Sequence, residues 1–143
     1  MERNKVFDKK HNLLKAGGLI TRKNNNRKEI LIISSDHKSY SFPKGHQEPN
    51  ETLRECAIRE CFEETGLQTK IVKELPRLRY VNPETKDNIE VHLYQMKITG
   101  GELRSESKDI GLLWAPIEKA EEYFEYQNMK DYISSMKKLL SDS

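Results

Sequence analysis

With 143 residues the chain fits one domain of ordinary size, long enough to bury a core. Its 25 lysines and arginines exceed its 23 aspartates and glutamates by two, which excludes the strong overall basic excess of a dedicated nucleic-acid binder. No apolar run reaches membrane-spanning length and the start MERNKVFDKK lacks a signal-peptide core, so a cytoplasmic protein with no membrane partner is expected.

The first two runs, KAGGLITRK and EILIISS, flank the polar stretch Arg22 to Lys28 and read as a hairpin. YSFPKG follows as a short strand ending in a turn, because Pro43 and Gly45 both interrupt regular structure. From Glu51 to Thr65 the pattern becomes helical, with Asn50 as the expected N-cap and Gly66 as the C-terminal stop. TKIVKEL, RLRYV and NIEVHLYQMKI read as strands, Gly100 and Gly101 as a turn, GLLWAPI as one more strand and IEKAEEYF as a short helix. In the tail, Met129, Tyr132, Ile133, Met136, Leu139 and Leu140 recur at spacings of three and four, an amphipathic helix whose stripe is expected in the core. The sum is an α/β chain, a central mixed sheet between helices in an α/β/α sandwich, over one domain spanning residues 1–143. Cys56 and Cys61, five apart on the predicted helix, point about 140° apart and are expected as free buried thiols in a reducing compartment.

Gly45 to Leu67 holds six glutamates in 23 residues. On a helical wheel Glu60, Glu63 and Glu64 share one face, while Ala57, Ile58, Cys61 and Phe62 occupy a separate arc suited to packing on a sheet. Arg59 stands one turn before Glu63 and can pair with it. Like charges at these spacings repel, and the Pro-Lys-Gly turn just before the helix can add backbone carbonyls to the carboxylates. Hard oxygen donors of this kind suit Mg²⁺, with Mn²⁺ as a substitute, and such a cation would relieve the repulsion.

The segment resembles the Nudix box, G-x5-E-x7-R-E-U-x-E-E-x-G-U with U aliphatic: Gly45, Glu51, Arg59, Glu60, Glu63, Glu64, Gly66 and Leu67 fall on it. Cys61 departs from the pattern at the first U, as a small apolar residue. The order of elements along the rest of the chain also resembles the Nudix fold. The resemblance implies a hydrolase of nucleoside diphosphates linked to another group, with Glu60, Glu63, Glu64 and the Gly45 carbonyl as metal ligands. It implies one of these glutamates as the base, Glu60 first, and Arg59 and Glu51 as structural, Arg59 orienting the glutamates and Glu51 tying the loop to the helix. A carboxylate from a later loop, ahead of an aromatic that Trp114 matches, is a further expectation. The gapless position holds Lys108, so Glu106 is the candidate and Asp109 its alternative.

Outside the box, SFPKGHQEPNE resembles the opening of the bis(5'-nucleosyl)-tetraphosphate hydrolases. That implies Lys44 and His46 at the phosphates, Tyr80 stacked on an adenine through a shortened connection, and Lys86 behind it, with Arg77 and Arg79 adding positive charge. The expected reaction is Mg²⁺-dependent cleavage of a dinucleoside polyphosphate, diadenosine tetraphosphate to ATP and AMP. Triphosphorylated RNA, diphosphoinositol polyphosphates, oxidised nucleotides and ADP-ribose are alternatives that use the same box, and a non-catalytic nucleotide-sensing domain is the alternative of another class. The expected partner is a small nucleotide or polyphosphate rather than long nucleic acid, with monomer and dimer both open.

Overall fold

The computed structural model describes residues 5–34, 36–37 and 39–140. The ends of the expected domain and Ser35, the last residue of the expected second strand, lie outside the described residues. Strands β1 (Leu13–Asn24) and β2 (Arg27–Ser34) form the expected hairpin. Its two-residue loop, Asn25-Asn26, is left-handed at both positions, with φ of 52° and 65°. Asparagine tolerates that conformation, and a turn of this hand matches strand twist. Then come β3 (Lys44–His46), α1 (Leu53–Thr65), β4 (Leu67–Glu74), β5 (Leu78–Val81), β6 (Asn88–Gly101) and β7 (Gly111–Pro116). A 3-10 helix, Ile117–Tyr123, and α2 (Gln127–Met136) close the order.

The strands make a mixed sheet in the order β4-β6-β1-β2-β7, parallel between β1 and β6 and otherwise antiparallel. β1 pairs with β2 only from Thr21 to Asn24, and nearer its start it pairs with β3 through Lys15–Gly17. The splay between β1 and β2 therefore admits β3 into the sheet. Alternate residues of β1 feed two cores. Leu13 and Leu19 join Leu93, Phe42, Ile133 and Met136 under α2, while Ala16 and Ile20 join Cys56, Ala57 and Cys61 under α1. Helices on both faces give the expected α/β/α layering.

Several local expectations change. Thr52, not Asn50, caps α1: its Oγ1 accepts from Glu55 N at 3.0 Å and Glu55 Oε1 accepts from Thr52 N at 2.9 Å. This reciprocal box satisfies two helix-end N–H groups, which a lone Asn50 would not, and Asn50 is a left-handed loop residue (φ 68°). Gly66 does end the helix, in the left-handed region at φ 79°. Gly45 belongs to β3 rather than to a turn, because the pairing of Lys44–His46 with β1 extends the chain there. Gly100 and Gly101 remain in β6, paired with β4, and the chain departs after them with Arg104 N on Thr65 O at 2.8 Å. α2 ends at Met136, so Leu140 is buried as expected but Leu139 is exposed.

On α1 only half of the separate apolar arc packs, Ala57 and Cys61. Cys56, Ala57 and Cys61 face the sheet, while Ile58 and Phe62 are exposed at 38% and 43%. Glu60 goes inward with them, 6% exposed. The helix is turned so that Glu60 and Glu64 lie along the seam with β3 while Glu63 stays exposed. Cys56 and Cys61 are free and buried, as expected. Among the described residues no helix is long and apolar enough to cross a membrane.

Candidate active site

Arg59 is the hub of the acidic segment. Its Nε and Nη2 donate to the two oxygens of Glu51 at 2.6 and 2.9 Å, and its Nη1 donates to Glu60 Oε1 at 2.7 Å and to Glu63 Oε2 at 3.0 Å. Nη2 also reaches the His46 carbonyl at 3.0 Å, so one guanidinium joins α1 to β3. Glu51 Oε1 accepts from Glu48 N at 3.1 Å, which closes the loop ahead of the helix. The Arg59 hydrogen bonds hold the Glu51 carboxyl below its usual range.

Glu64 lies half-buried one turn beyond Glu60, and its Oε2 accepts from the Lys44 backbone N–H at 2.7 Å. Burial pushes its carboxyl up to about 8, the Glu60 charge adds to the rise, and the Lys44 N–H opposes it. Glu106, on the exposed loop between β6 and β7, is among the charges that raise Glu64. Asp109 is exposed on the same loop, with its N–H on Ser107 Oγ at 3.3 Å. Gly45 packs so closely on α1 that a Cβ there would run into the Glu60 carboxyl.

Among the described residues no three His, Cys, Asp or Glu side chains are already gathered into a cage. Arg59 draws Glu60 and Glu63 to itself, and the Lys44 N–H holds Glu64. The donor set nevertheless suits a divalent cation. Glu60, Glu63, Glu64 and the adjacent Gly45 carbonyl are hard oxygens, and Glu60 and Glu64 crowd negative charge in a poorly solvated seam.

Pairing register gathers the other candidates. Paired residues on neighbouring strands point to the same face. Lys15 is opposite His46, Gly17 is opposite Lys44, Leu13 is opposite Ile89, and Ile89 is opposite Tyr80. Lys44, His46 and Tyr80 thus project from one face of the sheet, with Tyr80 three strands from β3, or about 14 Å across. Lys44 Nζ donates to Ser41 Oγ at 2.8 Å; burial pushes the ammonium down to about 8, with neighbouring Lys15 adding to the fall. Tyr80 is half-buried against the core under α2, and burial raises its phenol.

Lys86 sits apart, exposed and left-handed (φ 65°) at the tip of the β5–β6 hairpin. Arg77 and Arg79 lie on the opposite face from Tyr80 and spend their charge on buried Glu90, Arg79 Nη2 at 2.7 Å and Arg77 Nη1 at 3.7 Å. They do not add the free positive charge expected of them. Trp114 is half-buried on the α1 side, with the Arg22 guanidinium 4.1 Å above its ring.

Sequence reasoning passed over Lys15. Its ammonium lies within electrostatic reach of Glu64 and Glu60, and burial lowers it. The signal was available: a lysine between Leu13 and Gly17 on a strand occupies a core-facing position.

Comparison with known proteins places this geometry. The NUDIX domain family model matches residues 13–136. A mouse protein named bis(5'-nucleosyl)-tetraphosphatase [asymmetrical] is 29% identical over 118 residues, 78% of this chain and 80% of that protein. A Mycobacterium tuberculosis (strain CDC 1551 / Oshkosh) protein described as a candidate mutator protein is 40% identical over 81 residues, 54% of this chain and 33% of its own. An 8-oxo-(d)GTP phosphatase of Mycolicibacterium smegmatis is 29% identical over 99 residues, 68% of this chain and 30% of that protein. The chain spans between a third and just under two thirds of the first curated relatives it matches. Among solved structures, the C. elegans Ap4A hydrolase superposes with a TM-score of 0.71 at 23% identity, over 91% of this chain and 99% of that one, a likeness of fold. A box of glutamates on a capped helix, set against a splayed mixed sheet and matched by the family model over residues 13–136, makes the chain a member of the Nudix family.

Proposed function

We propose that the chain is a Mg²⁺-dependent pyrophosphohydrolase of dinucleoside polyphosphates, converting diadenosine tetraphosphate and water to ATP and AMP, with Mn²⁺ able to substitute. The observation that carries this reading is the shared sheet face of Lys44, His46 and Tyr80, with the Lys44 backbone N–H joining that strand to Glu64 of α1. A base on Tyr80 and phosphates at Lys44 require a ligand long enough to cross three strands, about 14 Å. The 29% identity to the mouse tetraphosphatase supports the same substrate class.

Glu60, Glu63, Glu64 and the Gly45 carbonyl would hold the cation. When bound it neutralises phosphate oxygens and lowers the pKa of a coordinated water. Glu64, which among the described residues is engaged by a backbone N–H and by no arginine, is the candidate to take the proton from the attacking water. Glu60 is held by Arg59 and is better suited to binding than to proton transfer, which reverses the order of preference drawn from the box alone. Arg59 and Glu51 keep the carboxylates in place. Lys44 meets the polyphosphate as a point charge, His46 donates beside it, and Tyr80 stacks on a base. Glu106 brings a further carboxylate from the loop.

A second reading, hydrolysis of an oxidised purine nucleoside triphosphate, is favoured by the relatives named as 8-oxo-dGTP phosphatases. A panel in excess Mg²⁺ separates the two: diadenosine tetraphosphate, 8-oxo-dGTP, triphosphorylated RNA, a diphosphoinositol polyphosphate and ADP-ribose, with products resolved by chromatography. ATP and AMP forming fastest from the first is the expected result. Faster release of pyrophosphate from 8-oxo-dGTP would replace the substrate assignment, and no turnover of any member would remove the catalytic one.

A further inference from the structure

The segment ahead of β1 folds back onto it. Leu14 N donates to Val6 O at 2.9 Å, Asp8 N donates to Asn12 O at 2.9 Å, and Phe7 stands opposite Leu13. Asp8 closes the turn between them. Its Oδ1 accepts from Lys10 N at 2.9 Å and from Asn12 N at 2.8 Å, and its Oδ2 accepts from Asn12 Nδ2 at 3.0 Å. The turn is therefore held without help from His11. Yet His11 takes a left-handed backbone, φ 64°, and lays its ring on Phe7, with centroids 4.6 Å apart and planes 8° from parallel. Both residues are exposed, Phe7 at 36%. Rings left in water gain little from burial, whereas the outside of such a stack can receive a further flat ring.

The bridge to Leu13 fixes where this stack lies. Opposed residues point to the same face, so the row Phe7, Leu13, Ile89, Tyr80 crosses one face of the sheet. Its two ends are aromatic and stand three strands apart, about 14 Å. Leu14 donates to Val6 and accepts from Gln47, so the folded-back segment and β3 share one flank of β1. His46, opposite Lys15, thus lies two residues along that flank from Phe7, roughly 7 Å away. Positive charge gathers beside the row: Lys15 follows Leu13 on the same face, with Lys5 within its electrostatic reach. Lys5 also pairs with Asp87 at 3.7 Å, which ties the segment to the start of β6.

Resting on the dinucleoside polyphosphate reading, we propose that Phe7 and His11 form the platform for the second nucleobase of the substrate, the first lying on Tyr80. A ligand with a base at each end and phosphates between needs two flat surfaces on one face with cations beside them. The 14 Å from Phe7 to Tyr80 is well within the extended length of such a ligand. A mononucleotide fills one platform only, so this pair distinguishes two-base from one-base substrates. Both residues precede the segment that the family model matches, residues 13–136, so the platform is an addition of this chain to the shared box.

The test is calorimetric titration of the whole chain at one fixed Mg²⁺ concentration. The ligands are diadenosine tetraphosphate and adenosine 5'-tetraphosphate, each with methylene groups in place of the oxygens that bridge phosphorus atoms, so that neither is cleaved. They share four phosphates and differ by one adenosine. The parent is expected to bind the two-base ligand about tenfold more tightly, one stacked base being at stake. Phe7→Ala is expected to remove that advantage, His11→Ala to reduce it and Phe7→Trp to keep it, while inorganic tripolyphosphate binds all four proteins alike. Equal affinity of the parent for the two nucleotides, an advantage that survives Phe7→Ala, or a loss that extends to tripolyphosphate would each overturn the assignment. A Phe7-dependent advantage in a protein that turns over no dinucleotide would leave the platform standing and remove the catalytic reading. Turnover of diadenosine tetraphosphate without that advantage would do the reverse.

Discussion

Arg59→Met is the most informative single perturbation, because it removes the guanidinium while keeping the length of the stem. In the parent, that group serves Glu51 twice, Glu60, Glu63 and the His46 carbonyl. Glu63 is 40% exposed at its side chain and recovers in water, whereas Glu51 and Glu60 are 13% and 7% exposed and would lose the cation that offsets their charge. Breaking a buried pair from one side costs about 3–5 kcal/mol, and the partial exposure of Arg59 itself, 22%, reduces that to roughly 2–4. With a slope of about 2 kcal/mol per molar urea for a chain of this size, the unfolding midpoint falls by about 1–2 M.

The pH dependence supplies the sign. Arg59 holds the folded Glu51 carboxyl below its unfolded value, so this contribution is present above the unfolded carboxylate pKa and is lost as pH falls through the folded one. The difference between parent and variant therefore narrows on acidification. Urea titrations at neutral pH and near pH 4 measure both effects. A loss under 0.5 kcal/mol, or a difference that widens as pH falls, would refute the account of Arg59 as the group that makes this acidic helix tolerable.

Glu64→Gln should keep the fold but lower turnover about 10²- to 10⁴-fold, the range for a lost general base, and should reduce the rise in melting temperature that Mg²⁺ gives the parent. An active Glu64→Gln protein with an unchanged Mg²⁺ response would dismiss Glu64 from the site. Tyr80→Ala should raise KM for diadenosine tetraphosphate more than it changes kcat, since base stacking is worth about 1–3 kcal/mol; an unchanged KM would rule stacking out. Thr52→Ala should cost about 1 kcal/mol in chemical denaturation by opening the capping box, and a negligible change would return the cap to Asn50.

The residues of the box were legible because their relations are local. Glu60, Glu63 and Glu64 share a face, Arg59 reaches Glu63 and Gly66 stops the helix, all through helix geometry within a few turns of one segment. The Asn25-Asn26 hairpin and the stripe of Met129, Ile133 and Met136 were legible for the same reason. Nothing local states how far α1 is rotated about its axis. Contact with β3 turned Glu60 inward and left Ile58 and Phe62 outside, since Gly45 offers a recess that the carboxyl fills and a larger side chain would close. Nor does a strand reveal its register. Only the pairing of β3 with β1, made possible where β1 and β2 splay apart, brought Lys15 beside Lys44 and set Tyr80 on their face while sending Arg77 and Arg79 to Glu90. The amino-acid order by itself determined which groups exist and which of them share a helix turn. Which lysine meets which glutamate depended on contacts between segments far apart in the chain, where hydrophobic burial sets the register and the charged groups follow it.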